Sequence, residues 1–279
     1  MKVGYAVLYN NGELVISQSH TILSKKIDKD YGEFEDTSVP WENDSKQINK
    51  VNILDQVKSN CMKEWFDDCT NLTSLIDFVN LDVSDCADFS SMFRSCTSLQ
   101  DISALESWNV SNGTDFSRMF YYCTSLQNIN ALESWNVSNG INFSSMFWNC
   151  TSLQDLNGLQ NWNVSNGTDF SRMFYNCESL KNLNELKNWN VSNGADFSDM
   201  FCHCELLQDL NDLQNWDVSN GTDFSQMFSS CTSLQFISLP NTLRYLDKNM
   251  FKDCNPNLKI RWKQYLYTYA DLLEYKKIY

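Results

Sequence analysis

Seven cysteines, Cys69, Cys96, Cys123, Cys150, Cys177, Cys204 and Cys231, recur every 27 residues without slippage. Five tryptophans, Trp108, Trp135, Trp162, Trp189 and Trp216, keep the same interval. A fixed period of this length restricts the chain to a repeat architecture, in which each unit hides its apolar side only by stacking on its neighbours. Such a stack grows without one large core, so the 279 residues read as one continuous domain between two caps. The expected boundaries are an N-terminal β-containing cap over 1–60, a repeat solenoid of 27-residue units over 61–238, and a divergent last repeat with a helical C-terminal cap over 239–279.

The unit from Asn112 to Ser138 shows what each coil should look like. Phe116, Met119, Phe120 and Cys123 fall at i, i+3, i+4 and i+7, the stripe of a two-turn helix. Before it stands a column restricted to Asp and Asn: Asp88, Asp115, Asn142, Asp169, Asp196 and Asp223. The expected role is a helix N-cap, whose side-chain oxygen accepts a free N–H of the first turn. After the cysteine corner come Leu126, Ile129 and Leu132, expected to form a strand, then Trp135 and Val137 alternating with polar Asn136 and Ser138. Gly113, Gly140, Gly167, Gly194 and Gly221 are expected in a left-handed turn. The fold class expected is an α/β repeat solenoid: a curved leucine-rich repeat stack with parallel strands on the concave side and short helices on the convex side. Strands at ~4.8 Å opposite helices at roughly 8–10 Å would bend it into an arc.

The same spacing argues against disulfides in the cysteine column, because helices roughly 8–10 Å apart hold the thiols beyond the ~7 Å limit of a bridge. The cysteines are expected as buried thiols packing like small hydrophobes. The tryptophan column is expected in the core. An all-Ser column, Ser90, Ser117, Ser144, Ser171, Ser198 and Ser225, has no histidine column to activate it, so close packing and a local hydrogen bond explain it.

Both ends differ from the repeat. Val3, Tyr5, Val7 and Tyr9, the turn residues Asn10 to Gly12, and Leu14 to Ser17 read as a β-hairpin. At the other end Cys254 follows Cys231 after only 23 residues, and the Tyr-rich segment from Lys263 to Tyr279, including Tyr265, Tyr267 and Tyr275, is expected to be a closing helix.

A net charge of -14 and a pI near 4.5 speak against nucleic acid or an anionic membrane as partner, since both select clustered Lys and Arg. No stretch is apolar enough for a membrane span. The N-terminus lacks the pattern of a signal peptide, which implies the cytoplasm if the chain is full length. His20 and His203 are the two histidines. Cys202, His203 and Cys204 are too tightly spaced to face one zinc ion, and no phosphate loop, nucleophile elbow or HExxH helix appears. No catalytic, cofactor or metal residues are therefore assigned.

The repeat unit, LxxLxxLxxWxVSNxxDFSxMFxxC, resembles the BspA-like leucine-rich repeat family, whose repeats take the form LDLSNWDTSNVTDMSYMFYGCSSL. Trp65 to Leu75 and Leu239 to Cys254 resemble that family's first coil and its second repeat flavour, and the likeness runs from Trp65 to about Ile260. The resemblance implies a bacterial cell-surface or extracellular protein, often an adhesin. The chain departs from the family in its 27-residue repeat, longer than usual, and in showing neither signal peptide nor sorting tail.

Columns that repeat serve packing, and columns that vary are free to be specific. On the expected helix the outward column reads Arg94, Tyr121, Trp148, Tyr175, Cys202 and Ser229, placing three large aromatics on successive coils. On the expected strand face, Gln100, Gln127, Gln154, Lys181 and Gln208 stand beside Asp101, Asn128, Asp155, Asn182 and Asp209. The partner-binding residues selected are Tyr121, Trp148, Tyr175 and Arg94 on the first surface and Gln127, Asn128, Gln154, Asp155, Lys181 and Asn182 on the second. The function expected is a non-enzymatic protein-binding module, adhesin-like or an interaction scaffold. A carbohydrate-binding protein is the alternative, and an enzyme with its site in a cap a third reading.

Overall fold

The structure is a computed structural model and describes residues 2–210, 212–247 and 249–274. It opens with a hairpin: β1 (Lys2–Tyr9) and β2 (Glu13–Ser17) pair antiparallel, with Tyr5 opposite Ser17 and Leu8 opposite Leu14. β3 (Ile27–Glu35) flanks β1, while β2 continues in parallel into β4 (Lys50–Ile53) and β6 (Ser74–Ile76), giving the order β3-β1-β2-β4-β6. The short strands β5 (Val57–Lys58) and β7 (Leu81–Asp82) pair separately. At the far end β8 (Asp209–Leu210), β9 (Phe236–Ser238) and β10 (Lys259–Trp262) run parallel, and β11 (Tyr265–Thr268) folds back antiparallel on β10. The segment from Lys263, expected as a helix, is therefore a turn at Lys263 and Gln264 and a strand from Tyr265 to Thr268. The α-helix α1 covers only Tyr269–Glu274, and Tyr275 lies outside the described residues.

Between these ends the coils overturn the expected fold class. The segment after the Asp/Asn column is not helical, as the backbone donors of 143–150 show. Phe143, Ser145, Phe147 and Asn149 donate to Asp169, Ser171, Met173 and Tyr175 of the next coil at 2.7–2.9 Å. The alternate donors close locally: Met146 to Phe143, Trp148 to Ser145 and Cys150 to Phe147 at 3.1–3.3 Å, and Ser144 to the side chain of Asn142 at 3.0 Å. Every N–H of the run is thus satisfied, four across the coils, three by the carbonyl three residues back and one by the Asn142 side chain. The turns over 143–146 and 147–150 each have the third residue left-handed, Ser145 at φ 56° and Asn149 at φ 60°. For a residue with a Cβ that conformation costs roughly 1–2 kcal/mol, which the cross-coil bonds offset. The Asp/Asn column caps no helix: its side-chain oxygen accepts the N–H two residues on in an Asx turn, from Ser90 on Asp88, Ser117 on Asp115 and Ser171 on Asp169, and the column also forms parallel bridges from Cys61 to Asp223.

The leucine side is corrected as well. Parallel strands occur there only near the ends, while the middle coils carry 3-10 turns at Ser103–Leu105, Asn130–Leu132, Asn184–Asn188 and Asp212–Asn215. Among the described residues no coil carries an α-helix. Without a helical layer there is no spacing mismatch, and the argument for a concave strand face and a convex helical face falls.

The core is a set of ring columns. Phenylalanines of successive coils stack with centroids 5.4–5.7 Å apart, as from Phe89 to Phe116 and from Phe93 to Phe120, closer than packed helices approach. Trp162 and Trp189 stack at 6.4 Å, and each indole N–H finds a carbonyl thirty residues back, such as Trp162 on Leu132 at 2.9 Å. The repeat glycines are not left-handed. A Cβ on Gly167 would sit 2.5 Å from the ring of Phe170 and 3.1 Å from the Val164 carbonyl, and the other four meet the same obstacle. They are there for close approach of the ring.

All eleven cysteines are free, ten of them buried. The coils follow one another at ladder spacing, so the helix-packing distance expected to keep the thiols apart is absent. What the structure shows is a thiol ladder: Cys96, Cys123, Cys150, Cys177, Cys204 and Cys231 each donate to a phenylalanine carbonyl thirty residues earlier at 3.1–3.2 Å. Burial pushes these thiols well above their ordinary range. Among the described residues no helix is long and apolar enough to cross a membrane.

Candidate binding surface

The turn segment places its sixth residue, the one before the second left-handed position, on the outside of the coil, and here lie Tyr121, Trp148 and Tyr175. All three are half-buried. Trp148 stacks on Tyr175 with centroids 4.2 Å apart and an interplanar angle of 23°, and Tyr121 leans on Trp148 at 5.4 Å and 36°. The rings therefore cover one another in part and leave the remainder to solvent. Arg94, one coil earlier, is exposed and held by Asp67 through two bonds of 2.7 and 2.5 Å. At the other end the column turns inward: Cys202 and Ser229 are each 3% exposed, and burial pushes the Cys202 thiol up to about 11.

Residues beside the row complete it. The Arg172 guanidinium lies 5.8 Å from the Trp148 ring centre and pairs with Asp199 at 3.2 Å. Burial raises the Asp199 carboxyl and Arg172 draws it back. Arg118 is exposed in the same left-handed column as Arg172, and Tyr122 is exposed beside Tyr121 at 5.6 Å. His203 sits in the second left-handed column and packs on Tyr175 at 5.6 Å. Sequence reasoning missed these residues because a helix would point them elsewhere. The alternation of Ser and Arg through Ser91, Arg118, Ser145 and Arg172 was the available signal.

The polar columns are mixed in exposure. Gln127, Asn128, Gln154 and Lys181 are exposed, whereas Asp155 and Asn182 are half-buried. Asp155 accepts the N–H of Asn157 and Asn182 that of Asn184, at 3.1 and 3.2 Å, so one oxygen of each also holds a local turn. Among the described residues no group of three His, Cys, Asp or Glu side chains is placed to hold a metal ion.

Over residues 37–156 and 154–261 the sequence matches the family described as "Mycoplasma protein of unknown function, DUF285". The chain belongs to this family. The DUF285 chain is similar in fold to a leucine rich cell surface protein from Faecalibacterium prausnitzii, with a TM-score of 0.51 and 16% identity over 94% of this chain and 76% of that one. At that identity the likeness speaks for the fold alone. A leucine-rich repeat protein from Eubacterium ventriosum aligns over 91% of this chain and 95% of that one at 11% identity and a TM-score of 0.29, too slight a likeness to carry weight. A comparison with curated proteins found no match. The resemblance to BspA-like leucine-rich repeats drawn from the repeat unit stands.

Proposed function

We propose that this DUF285 chain is a non-enzymatic binding module that holds a protein partner on the row Tyr121, Trp148 and Tyr175, with Arg172 and Arg118 at its margin. The observation that carries the reading is Trp148, half-buried between two tyrosines and beneath a guanidinium. Interface hot spots are enriched in Trp, Tyr and Arg, rigid groups that bury much area at small entropic cost. The ring stack holds the row in place before a partner arrives. The likeness to a cell surface protein supports placing this activity at a cell surface.

Immobilised wild-type chain and the variants Trp148→Ala and Tyr175→Ala are exposed to the same surface-protein extract and, separately, to a glycan array. The reading expects wild type to retain a protein that both variants release, while all three melt at similar temperatures. Equal retention by all three would discard the row. Retention confined to glycans would replace the protein partner by a carbohydrate.

A further inference from the structure

Five Asn-Gly pairs fall in one column: Asn112-Gly113, Asn139-Gly140, Asn166-Gly167, Asn193-Gly194 and Asn220-Gly221. Glycine lacks the Cβ that would shield its nitrogen, so in a loose chain the Asn-Gly bond is open to cyclisation. We propose that this column is a gated deamidation site, intact while the coils are closed and consumed in one direction when a coil opens.

The chemistry needs only water. The Gly nitrogen attacks the Asn side-chain carbon Cγ, the bond from Cγ to Nδ2 breaks, and ammonia leaves a succinimide. Water then opens the ring to Asp or isoAsp. The net change exchanges ammonia for water, and the five asparagines are all solvent-exposed.

Closed coils engage both reacting groups. Each Asn Nδ2 donates to a serine carbonyl of the preceding coil, Asn112 to Ser84, Asn139 to Ser111 and onward to Asn220 on Ser192, at 2.7–2.8 Å. Each Gly N–H is engaged at 2.8–3.0 Å by the valine carbonyl three residues back. The glycine cannot swing to meet Cγ, because the phenylalanine three residues on lies against its Cα so closely that a Cβ would come within 2.2–2.5 Å of the ring. Cyclisation therefore waits for opening, which breaks the Asn-to-Ser bond and frees the glycine together.

Closure of a converted coil is then blocked. An aspartate in place of the asparagine only accepts and would set its carboxylate against the serine carbonyl, while isoAsp lengthens the backbone inside the turn. Conversion should begin at one end. Asn220 is the last of the column, the following coil is shortened to 23 residues between Cys231 and Cys254, and an apolar void of about 20 Å³ lined by Trp216, Val218 and Phe224 lies in its coil. Local opening is easiest where packing is incomplete.

Wild-type chain is incubated in warm, mildly alkaline buffer with and without urea, and the five peptides are followed by mass spectrometry. In urea all five should convert at similar rates. In the folded chain Asn139, Asn166 and Asn193 should convert at least about tenfold more slowly, with Asn220 leading. Equal rates with and without urea would overturn the gate, and uniform rates among the five folded sites would overturn the order. Chain deamidated in urea should fail to recover the native urea midpoint on refolding. Full recovery would overturn the one-way character.

Discussion

Raising the pH should unfold this chain through its cysteines, and the ladder sets the scale. Burial pushes Cys86 and Cys254 up to about 12 and Cys202 up to about 11, and drives Cys96, Cys150, Cys177, Cys204 and Cys231 well above their ordinary 9.0. Unfolded, the same thiols ionise near 9.0. The folded values lie above the unfolded ones, so the stabilisation is complete below that pH and lost as pH rises. At about pH 10, roughly one unit above the unfolded value, each buried thiol shifts the balance toward the unfolded chain by about 1 kcal/mol. Ten buried thiols together remove on the order of 10 kcal/mol, comparable to the ~5–15 kcal/mol that holds an ordinary domain folded. Tryptophan fluorescence and thiolate absorbance followed through one alkaline titration should change together in a single steep step. Thiolate absorbance rising along the ordinary curve while fluorescence stays native would refute the burial argument, as would a fold that persists well past that pH.

Gly167→Ala should cost about 1–3 kcal/mol of stability through overpacking, and Phe170→Leu in the same chain should return much of it, because the clash is with that ring. Urea midpoints measure both, and a single variant as stable as wild type would contradict the close-approach reading. Burial raises the carboxyl of Glu13, but hydrogen bonds from Lys25 and Asn52 and the charge of Lys50 outweigh it and hold the carboxyl below its ordinary 4.5. Its contribution is therefore present above that pH and lost in acid, so the fall of the urea midpoint on acidification should be shallower in Glu13→Gln. Parallel curves would exclude it.

The repeat, the position of the hairpin and the buried columns were legible because they rest on hydrophobic spacing and turn residues. The local conformation was not, for a reason visible in Phe143 and Phe147. A helix of period 3.6 returns side chains to one face at i and i+4, and two successive four-residue turns do the same, so over eight residues the patterns coincide. The distinguishing feature is a left-handed residue at every fourth position. Here those positions hold Ser145, Asn149, Arg172 and Asn176 instead of glycine. The repeat glycines misled in the opposite sense, marking ring contact instead of backbone handedness. Of the candidate surface, the aromatic row was readable from column variability, while the arginines beside it depended on turn geometry. The turn-holding duties of Asp155 and Asn182 appeared only once the 3-10 turns were in place.

Coils join through backbone bonds where a helix was expected, and heteronuclear NMR detects such bonds through couplings transmitted across them. The amides of Phe143, Ser145, Phe147 and Asn149 should couple to the carbonyls of Asp169, Ser171, Met173 and Tyr175. Couplings from these amides to carbonyls four residues earlier, the pattern of an α-helix, would contradict it.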